Sequence, residues 1–142
     1  MTITLDQACA IIAAARAAGR AGGFKPLSVV VLDAGGHVTA FEREDGSSNK
    51  RFEIAHGKAH GAISLGLGSR AWMARAEQPP SFIAAATRAI GGALIPVPGG
   101  VLIHSTSGAI IGAVGISGDT SDNDEAAAVA GIEAAGLVAV TG

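Results

Sequence analysis

The 142-residue chain has one cysteine, no tyrosine and only 4% aromatic residues. A single cysteine, Cys9, excludes a disulfide within the chain. Because Cys9 lies in an apolar helical stretch, we expect its thiol to be buried. With so few aromatic side chains, the core must be built from small residues on closely approaching backbones. The 21 glycines of the chain agree with such packing.

Neither sign of charge dominates, since ten basic and twelve acidic residues give a formal net charge of −2. Such a balance provides no basic surface for nucleic acid, which we exclude as a partner. No apolar run approaches the ~20 residues that span a bilayer, so no membrane association is expected. The first residues also lack the basic segment of a signal peptide. We therefore predict a cytoplasmic protein.

Several catalytic motifs are also absent. The sequence has no Gly-x-Ser-x-Gly motif and no cysteine beside a basic motif, so nucleophilic catalysis has little support. The glycine-rich segment GAVGISG lacks the lysine that follows a phosphate-binding loop. Nucleotide hydrolysis is therefore not expected.

Capping residues, apolar periodicity and prolines predict five helices along the chain. Thr4 and Gln7 form a capping box for a helix predicted to end near Gly22, with a buried stripe of Leu5, Ala8, Ile12 and Ala15. A second helix is expected from residue 47 to about 65–68, capped by Ser47, Ser48 or Asn49 and burying Phe52, Ala55, Ala59 and Ile63. Two short helices, 69–76 and 81–90, flank Pro79 and Pro80. The last helix, capped by Thr120 or Ser121, is predicted to reach about Val138, with Ser121 and Asp124 as its capping box.

Two hairpins alternate with these helices. Residues 27–33 and 37–44 form the first, and residues 101–105 and 109–117 form the second. The order predicts an α/β fold of the α+β type, with helices packed on a mainly antiparallel sheet, in a single domain over residues 1–142. The apolar end of the last helix, AGLVAV, suggests a surface that another subunit covers, or one that packs on the chain's own sheet.

Four segments together resemble the GlcG/HbpS-like family: TLDQACAIIAAA, VVVLDAGGHVTAFEREDG, EIAHGKAHGAISLG and GGVLIHSTSGAIIGAVGISGDTSDND. The resemblance covers nearly the whole chain. It implies a profilin-like fold with a five-stranded antiparallel sheet, and a homo-oligomer. It does not imply one chemistry, because members are linked to haem, to corrinoid metabolism and to small-molecule operons. The family pattern differs here at His60-Gly61 and at His104.

The central helix carries three residues that could form a site. Glu53, His56 and His60 are spaced i, i+3 and i+7, which confines them to a sector about 60° wide. His56 and His60 could share a divalent metal, with Glu53 as third ligand, orienting residue or general base. They could instead ligate a tetrapyrrole iron, or simply form a polar edge of the core.

Other candidates lie in turns and loops. His37 follows Gly35 and Gly36, which would let a ligand approach the backbone, although turn histidines are often merely solvated. Asp33 is expected to accept hydrogen bonds within that turn. Gly99 and Gly100 resemble a loop that approaches a ligand or a neighbouring subunit.

Charged residues supply the last candidates. Lys58, with Arg51 on about the same side of its helix, could pair with an acid, bind an anionic group or face solvent. Residues 117–121 precede a helix whose free amides would attract a carboxylate or phosphate. Asp119, Asp122 and Asp124 already occupy that end, so capping alone is the favoured interpretation.

Three hypotheses follow. The first is an oligomer that binds a small anionic ligand, with haem or a related tetrapyrrole favoured by the resemblance and His56, His60 and His37 as ligands. The second is a small enzyme, a lyase, isomerase or hydrolase, that acts on a hydroxy acid or ring-derived carboxylate by acid-base catalysis at His56 or His60, either with or without a metal. Glu53 would orient the histidine, and an arginine or Lys58 would hold the carboxylate. The third is a structural assembly factor without a site.

Overall fold

The computed structural model describes all 142 residues as a five-stranded antiparallel sheet with helices on both faces. The strands lie in the order β2-β1-β4-β3-β5. This arrangement confirms the predicted fold class. No helix combines the length and the apolar character needed to cross a membrane. The elements are α1 (Leu5–Ala21), β1 (Ser28–Asp33), β2 (Val38–Arg43), α2 (Arg51–Leu65), α3 (Ser69–Ala76), α4 (Ser81–Ala89), β3 (Gly100–His104), β4 (Ile110–Ser117), α5 (Ser121–Ala134) and β5 (Val138–Val140).

The two sheet faces follow from the alternation of side chains along the central strands. One face buries Val29, Val31, Val101, Ile103, Val114 and Ile116 beneath α1 and α5. The other buries Val30, Leu32, Leu102 and Ala113 beneath the alanines of α2. Both faces of β1 and β4 are therefore covered, which accounts for their nearly continuous apolar sequence.

Glycines let α2 lie unusually close to the sheet. A Cβ on Gly115 would lie 2.0 Å from the carbonyl oxygen of Ala55, and one on Gly100 would lie 2.3 Å from that of Lys58. No other residue fits at either position unless the helix moves. The backbone of α2 therefore packs directly on β3 and β4, and this contact fixes the direction of every side chain that the helix carries.

The predicted packing of α1 is partly wrong. The capping box of Thr4 and Gln7 forms as expected, and Ala8, Ile12 and Ala15 are buried. Leu5, however, is 58% exposed, and the thiol of Cys9 is exposed rather than buried. Cys9 lies one residue from Ala8, which turns it by about 100° out of the buried stripe.

The caps predicted for the second helix are also wrong. It begins at Arg51, and its N-cap residue, Lys50, makes no capping hydrogen bond. The serines proposed as caps have other partners, since Ser47 Oγ lies 2.9 Å from Ser28 Oγ and Ser48 Oγ accepts a hydrogen bond from Arg51 Nε.

The end of the chain differs most from prediction. The last helix stops at Ala134, Gly136 adopts a φ of 76°, and Val138–Val140 pairs with β3 as the fifth strand. The apolar terminal segment is thus a strand of the chain's own sheet. Thr120 caps this helix by accepting from the amide of Asn123, and the expected capping box of Ser121 and Asp124 is absent.

Replacement of Gly115 by alanine tests the close approach of α2. We expect Gly115→Ala to lower the free energy of unfolding by about 1–3 kcal/mol or more, because the new methyl group meets a backbone carbonyl. Urea denaturation measures the change. The matched control is Gly22→Ala, whose methyl would meet only the ring of Phe24, and it should change stability by less than about 1 kcal/mol. Equal effects would contradict the proposed packing.

Candidate functional site

Four rings form a continuous row along one flank of α2. The ring centroids of Phe41 and Phe52 are 4.7 Å apart, those of Phe52 and His56 are 5.6 Å apart, and those of His56 and His60 are 5.5 Å apart. Phe52, His56 and His60 recur every four residues, which places them on one side of the helix. We call Phe41, Phe52, His56 and His60 the aromatic row. It brings two of the predicted histidines together at the edge of the apolar core.

The segment after α4 folds over the outer side of α2 and fixes His60. Glycine is required beneath it, since a Cβ on Gly57 would lie 2.5 Å from Ile95 and one on Gly61 would lie 2.9 Å from Leu94. This close packing brings the carbonyl oxygen of Ala93 to 3.0 Å from His60 Nδ1. A carbonyl oxygen only accepts, so Nδ1 carries a proton. In the neutral ring, Nε2 then keeps a free lone pair.

His56 differs from His60 in having no hydrogen-bond partner within the chain. Its ring is half-buried between Phe52 and His60. Burial lowers the pKa of His56 below 6.5, and the neighbouring charge of His60 lowers that pKa further. The neutral form of His56 is therefore favoured at neutral pH.

Glu53, the third predicted member of this group, lies apart from the histidines. Its carboxylate is 56% exposed and lies 3.9 Å from Lys50 Nζ. It makes no hydrogen bond to either ring. An exposed pair of this kind contributes little to stability, and Glu53 does not orient His56 or His60 in this arrangement.

The structure does not support the predicted divalent-metal site. No three side chains of the histidine, cysteine, aspartate or glutamate type form a metal-binding group. The rings of His56 and His60 are stacked with their planes 13° apart. Imidazole lone pairs lie in the ring plane, so two stacked, nearly parallel rings do not direct them at a common ion.

His37 lies in the turn between β1 and β2 as predicted, with 82% of its side chain exposed. Asp33 Oδ1 accepts hydrogen bonds from the amides of Gly35 and His37, both at 2.9 Å, and lies 3.2 Å from His37 Nδ1. The amide of His37 is the main cause that lowers the pKa of Asp33. Gly36 has a φ of 84°, a conformation that strongly favours glycine. These glycines are thus explained by the turn itself.

Lys58 is not on a solvated face, since it is only 2% exposed. Its ammonium donates to the carbonyl oxygen of Ile116 at 2.9 Å and to Asp124 Oδ2 at 3.1 Å. Burial lowers the pKa of Lys58 and raises the pKa of Asp124, while their mutual attraction opposes both shifts. Of the three predicted roles, the structure contains the pairing with an acid.

Gly99 and Gly100 are buried beside this ion pair. A Cβ on Gly99 would lie 2.8 Å from Lys58 Nζ, and the φ of Gly99 is 121°. Both glycines therefore approach α2 rather than open space. The space around them is already filled by the chain itself.

Sequence analysis did not place His104 in a site. It ends β3, and its Nε2 is buried without a hydrogen-bond partner. Because Leu102 lies on the α2 side of the sheet, alternation puts His104 on that side too. The only sequence signal is a histidine at the end of an apolar strand, which does not reveal an unpaired nitrogen.

Comparison with known proteins identifies the family. The model of a family described as "Haem degrading protein HbpS-like" matches residues 3–133. The chain belongs to the HbpS-like family. No curated protein sequence matches it significantly.

Solved structures of similar fold agree with this membership. HbpS is 28% identical with a TM-score of 0.80, over 94% of this chain and 89% of HbpS. The Klebsiella pneumoniae protein ORFY is 25% identical with a TM-score of 0.84, over 96% of this chain and 92% of ORFY. A complex of PduOC with heme has a TM-score of 0.83 at 22% identity, over 96% of this chain and 97% of PduOC, and shows the fold alone. Self-association stays a prediction of the sequence.

Removal of one partner from the buried ion pair tests the structural role of Lys58. We expect Lys58→Met to lower the free energy of unfolding by about 3–5 kcal/mol, because Asp124 is left buried without its cation. The double variant Lys58→Met/Asp124→Asn should be less destabilised. Chemical denaturation measures both.

Lys50→Met is the matched control, since Lys50 lies at the start of the same helix with 79% of its side chain exposed. It should change stability by less than about 1 kcal/mol. A Lys58→Met variant as stable as the Lys50→Met control would contradict the role given to the pair.

The stacked histidines predict a coupled titration. His60→Gln removes a charge that disfavours protonation of His56, so the pKa of His56 should rise part of the way towards 6.5, with burial still holding it below that value. NMR titration of the ring protons measures this. His37→Gln is the control and should leave the pKa of His56 unchanged.

The same shift makes the stability depend on pH. The folded-state pKa of His56 lies below its unfolded value of about 6.5. The contribution of neutral His56 to the free energy of unfolding is therefore complete above about pH 6.5 and is lost as the pH falls through the folded-state pKa.

In the NMR titration, a pKa of His56 that does not respond to His60→Gln would show that the two rings are not coupled.

Proposed function

We propose that the chain binds haem or a closely related tetrapyrrole at the aromatic row, with His60 Nε2 as the ligand of the iron. The observation that carries this proposal is the hydrogen bond between His60 Nδ1 and the carbonyl oxygen of Ala93. An acceptor that is hydrogen-bonded to one ring nitrogen fixes the tautomer and the ring orientation of a ligating histidine, and it raises the basicity of the other nitrogen.

Beside His60 lies an apolar surface against which a flat ligand could pack. Phe41 and Phe52 pack on the core beside the two histidines, and Ile63 continues the apolar surface one turn further along α2. His56 has a lowered pKa, so it adds little positive charge at neutral pH. His60 would hold the iron of a bound haem, which would supply the capacity to activate oxygen.

The comparisons support the same ligand class. The family is described as haem degrading, and PduOC, which shares the fold, has been solved in complex with heme. Neither description names the residues that hold the ligand. The choice of His60 over His37 and His56 therefore comes from the side-chain geometry of this chain.

Acid-base catalysis without a cofactor has weaker support. The alternative hypothesis needs a carboxylate that orients His56 or His60, and Glu53 instead lies near Lys50. Asp33 does contact a histidine, but that histidine is His37, which lies in an exposed turn and is not part of the aromatic row. The geometry therefore favours ligand binding over the enzymatic hypothesis.

Titration with haemin, followed by visible absorption, tests the proposal. Wild-type protein should give a saturable band shift, and His60→Ala should abolish it or weaken binding by at least about tenfold, the effect expected of a lost metal ligand. His56→Ala should weaken binding less, since His56 contributes packing rather than a fixed lone pair.

His37→Ala is the matched control, because His37 Nδ1 also contacts an acceptor while its ring is exposed. This variant should bind as wild type does. Circular dichroism confirms that each variant is folded. Loss of binding in His37→Ala alone would move the ligand to the turn, and a histidine-independent response would reject haem ligation.

A further inference from the structure

Two adjacent cavities lie at the end of the sheet where β1 begins and β4 ends. Their volumes are about 190 and 250 Å³, and Lys25, Arg51 and Gly118 line both. We call them together the cation cleft. Every residue around it is polar, glycine or proline, and the remaining ones are Pro26, Gly46, Ser47, Ser48, Asp119 and Thr120.

Arg51 is anchored in the cleft without a carboxylate partner. Its Nε donates to Ser48 Oγ at 3.2 Å, and its terminal NH1 donates to Ser117 Oγ at 3.0 Å. These contacts fix the guanidinium plane and leave further N–H groups unused. Ser48 lines the first cavity, and its hydroxyl proton is free to donate to a bound group. Ser117 is only 1% exposed and lines neither cavity, so it anchors Arg51 from the protein interior.

Lys25 supplies a second cation without a partner. Its ammonium forms no ion pair, although five other basic residues do, namely Arg16, Arg20, Lys50, Lys58 and Arg70. Neither of the two cations that line this cleft forms an ion pair, although the charge of Lys25 helps to lower the pKa of the nearby Asp119.

Asp119 is the one acid in the cleft, and each of its carboxylate oxygens already accepts a hydrogen bond from the chain. Its oxygens accept from the backbone amide of Lys25 at 2.8 Å and from Asn123 Nδ2 at 2.7 Å. These donors, with the amide of Thr120, lower the pKa of Asp119 to about 2. Asp119 thus holds the loop before α5 in place, and no ion pair links it to Arg51.

The start of α2 adds to the positive character of the cleft. Its first residue, Arg51, lines both cavities, and no side chain caps this 15-residue helix. Helix N-termini carry a partial positive charge, and that of α2 reinforces the two cationic side chains. The start of α5 adds no such charge, because Thr120 caps it and Asp122 and Asp124 lie in its first turn.

We propose that the cation cleft binds a small oxyanion, a phosphate group or a small carboxylate, in contact with Arg51 and Lys25. Arginine and hydroxyl donors with a nearby lysine match the several acceptor oxygens of such a group. Each cavity is smaller than the ~300 Å³ at which drug-sized ligand sites begin, so the anion has few atoms.

This site is separate from the proposed haem site. Arg51 and His60 are nine residues apart on α2, which places them about 180° apart around the helix and about 13 Å apart along it. The oxyanion site therefore does not depend on the haem proposal, and either can fail alone.

Isothermal titration calorimetry with inorganic phosphate, and separately with acetate, tests the inference. At least one anion should bind wild-type protein saturably with one site per chain. Arg51→Gln and Lys25→Gln should each weaken that binding by about tenfold or more, the scale of one lost charge-assisted hydrogen bond. The anion that binds more tightly identifies the ligand class.

The matched controls are Arg43→Gln and Lys50→Gln, which remove cations that do not line the cleft, and both should bind as wild type does. Lys25→Gln alters an exposed side chain without contacts, so its folding is not at risk. Haemin titration of Arg51→Gln should be unchanged. The proposal is overturned if neither anion saturates the wild type, or if the cleft variants and the controls bind equally.

Discussion

The close contact between α2 and the sheet is the constraint on which the rest of this structure depends. Gly100 and Gly115 allow backbone-to-backbone packing, because any side chain there would overlap the carbonyl oxygens of Lys58 and Ala55. At this distance Lys58 cannot reach solvent, so its ammonium must find partners inside. The carboxylate of Asp124 and the carbonyl oxygen of Ile116 provide them. The burial of Lys58 in an ion pair is therefore a direct consequence of the glycines.

The packing of α2 on the sheet also determines which of its side chains lie on the flank away from the sheet. With its sheet-facing side occupied by alanines and Lys58, the helix carries Phe52, His56 and His60 along one flank. Gly57 and Gly61 admit the segment that brings Ala93 to His60. The position of α2 is thus set by contacts between backbones that small residues allow, whereas in many cores large aromatic side chains set the position of a helix. Two of the few aromatic residues of the chain, Phe41 and Phe52, belong to the aromatic row.

The sequence predicted those features that depend on local chemistry. The capping box at Thr4, the break at Pro79 and Pro80 and the strand segments all follow from patterns within a few residues, and the structure contains them. The spacing of His56 and His60 likewise predicted their shared flank. Local patterns could not predict the ion pair of Lys58, because its partner Asp124 is 66 residues away in the sequence. Helical periodicity indicated only that the two cations of α2 share a side.

The errors at the end of the chain have a related cause. AGLVAV continues an apolar helical pattern, and only the left-handed conformation of Gly136 together with an open edge of β3 makes it a strand. Sheet pairing is a long-range property that a local pattern does not contain. The cation cleft also depends on long-range contacts. In the sequence, residues 117–121 indicated only a helix start that was already capped. Lys25, Ser47 and Arg51 come from other parts of the chain, and folding supplies the two cations that turn a capped helix end into a site for an anion.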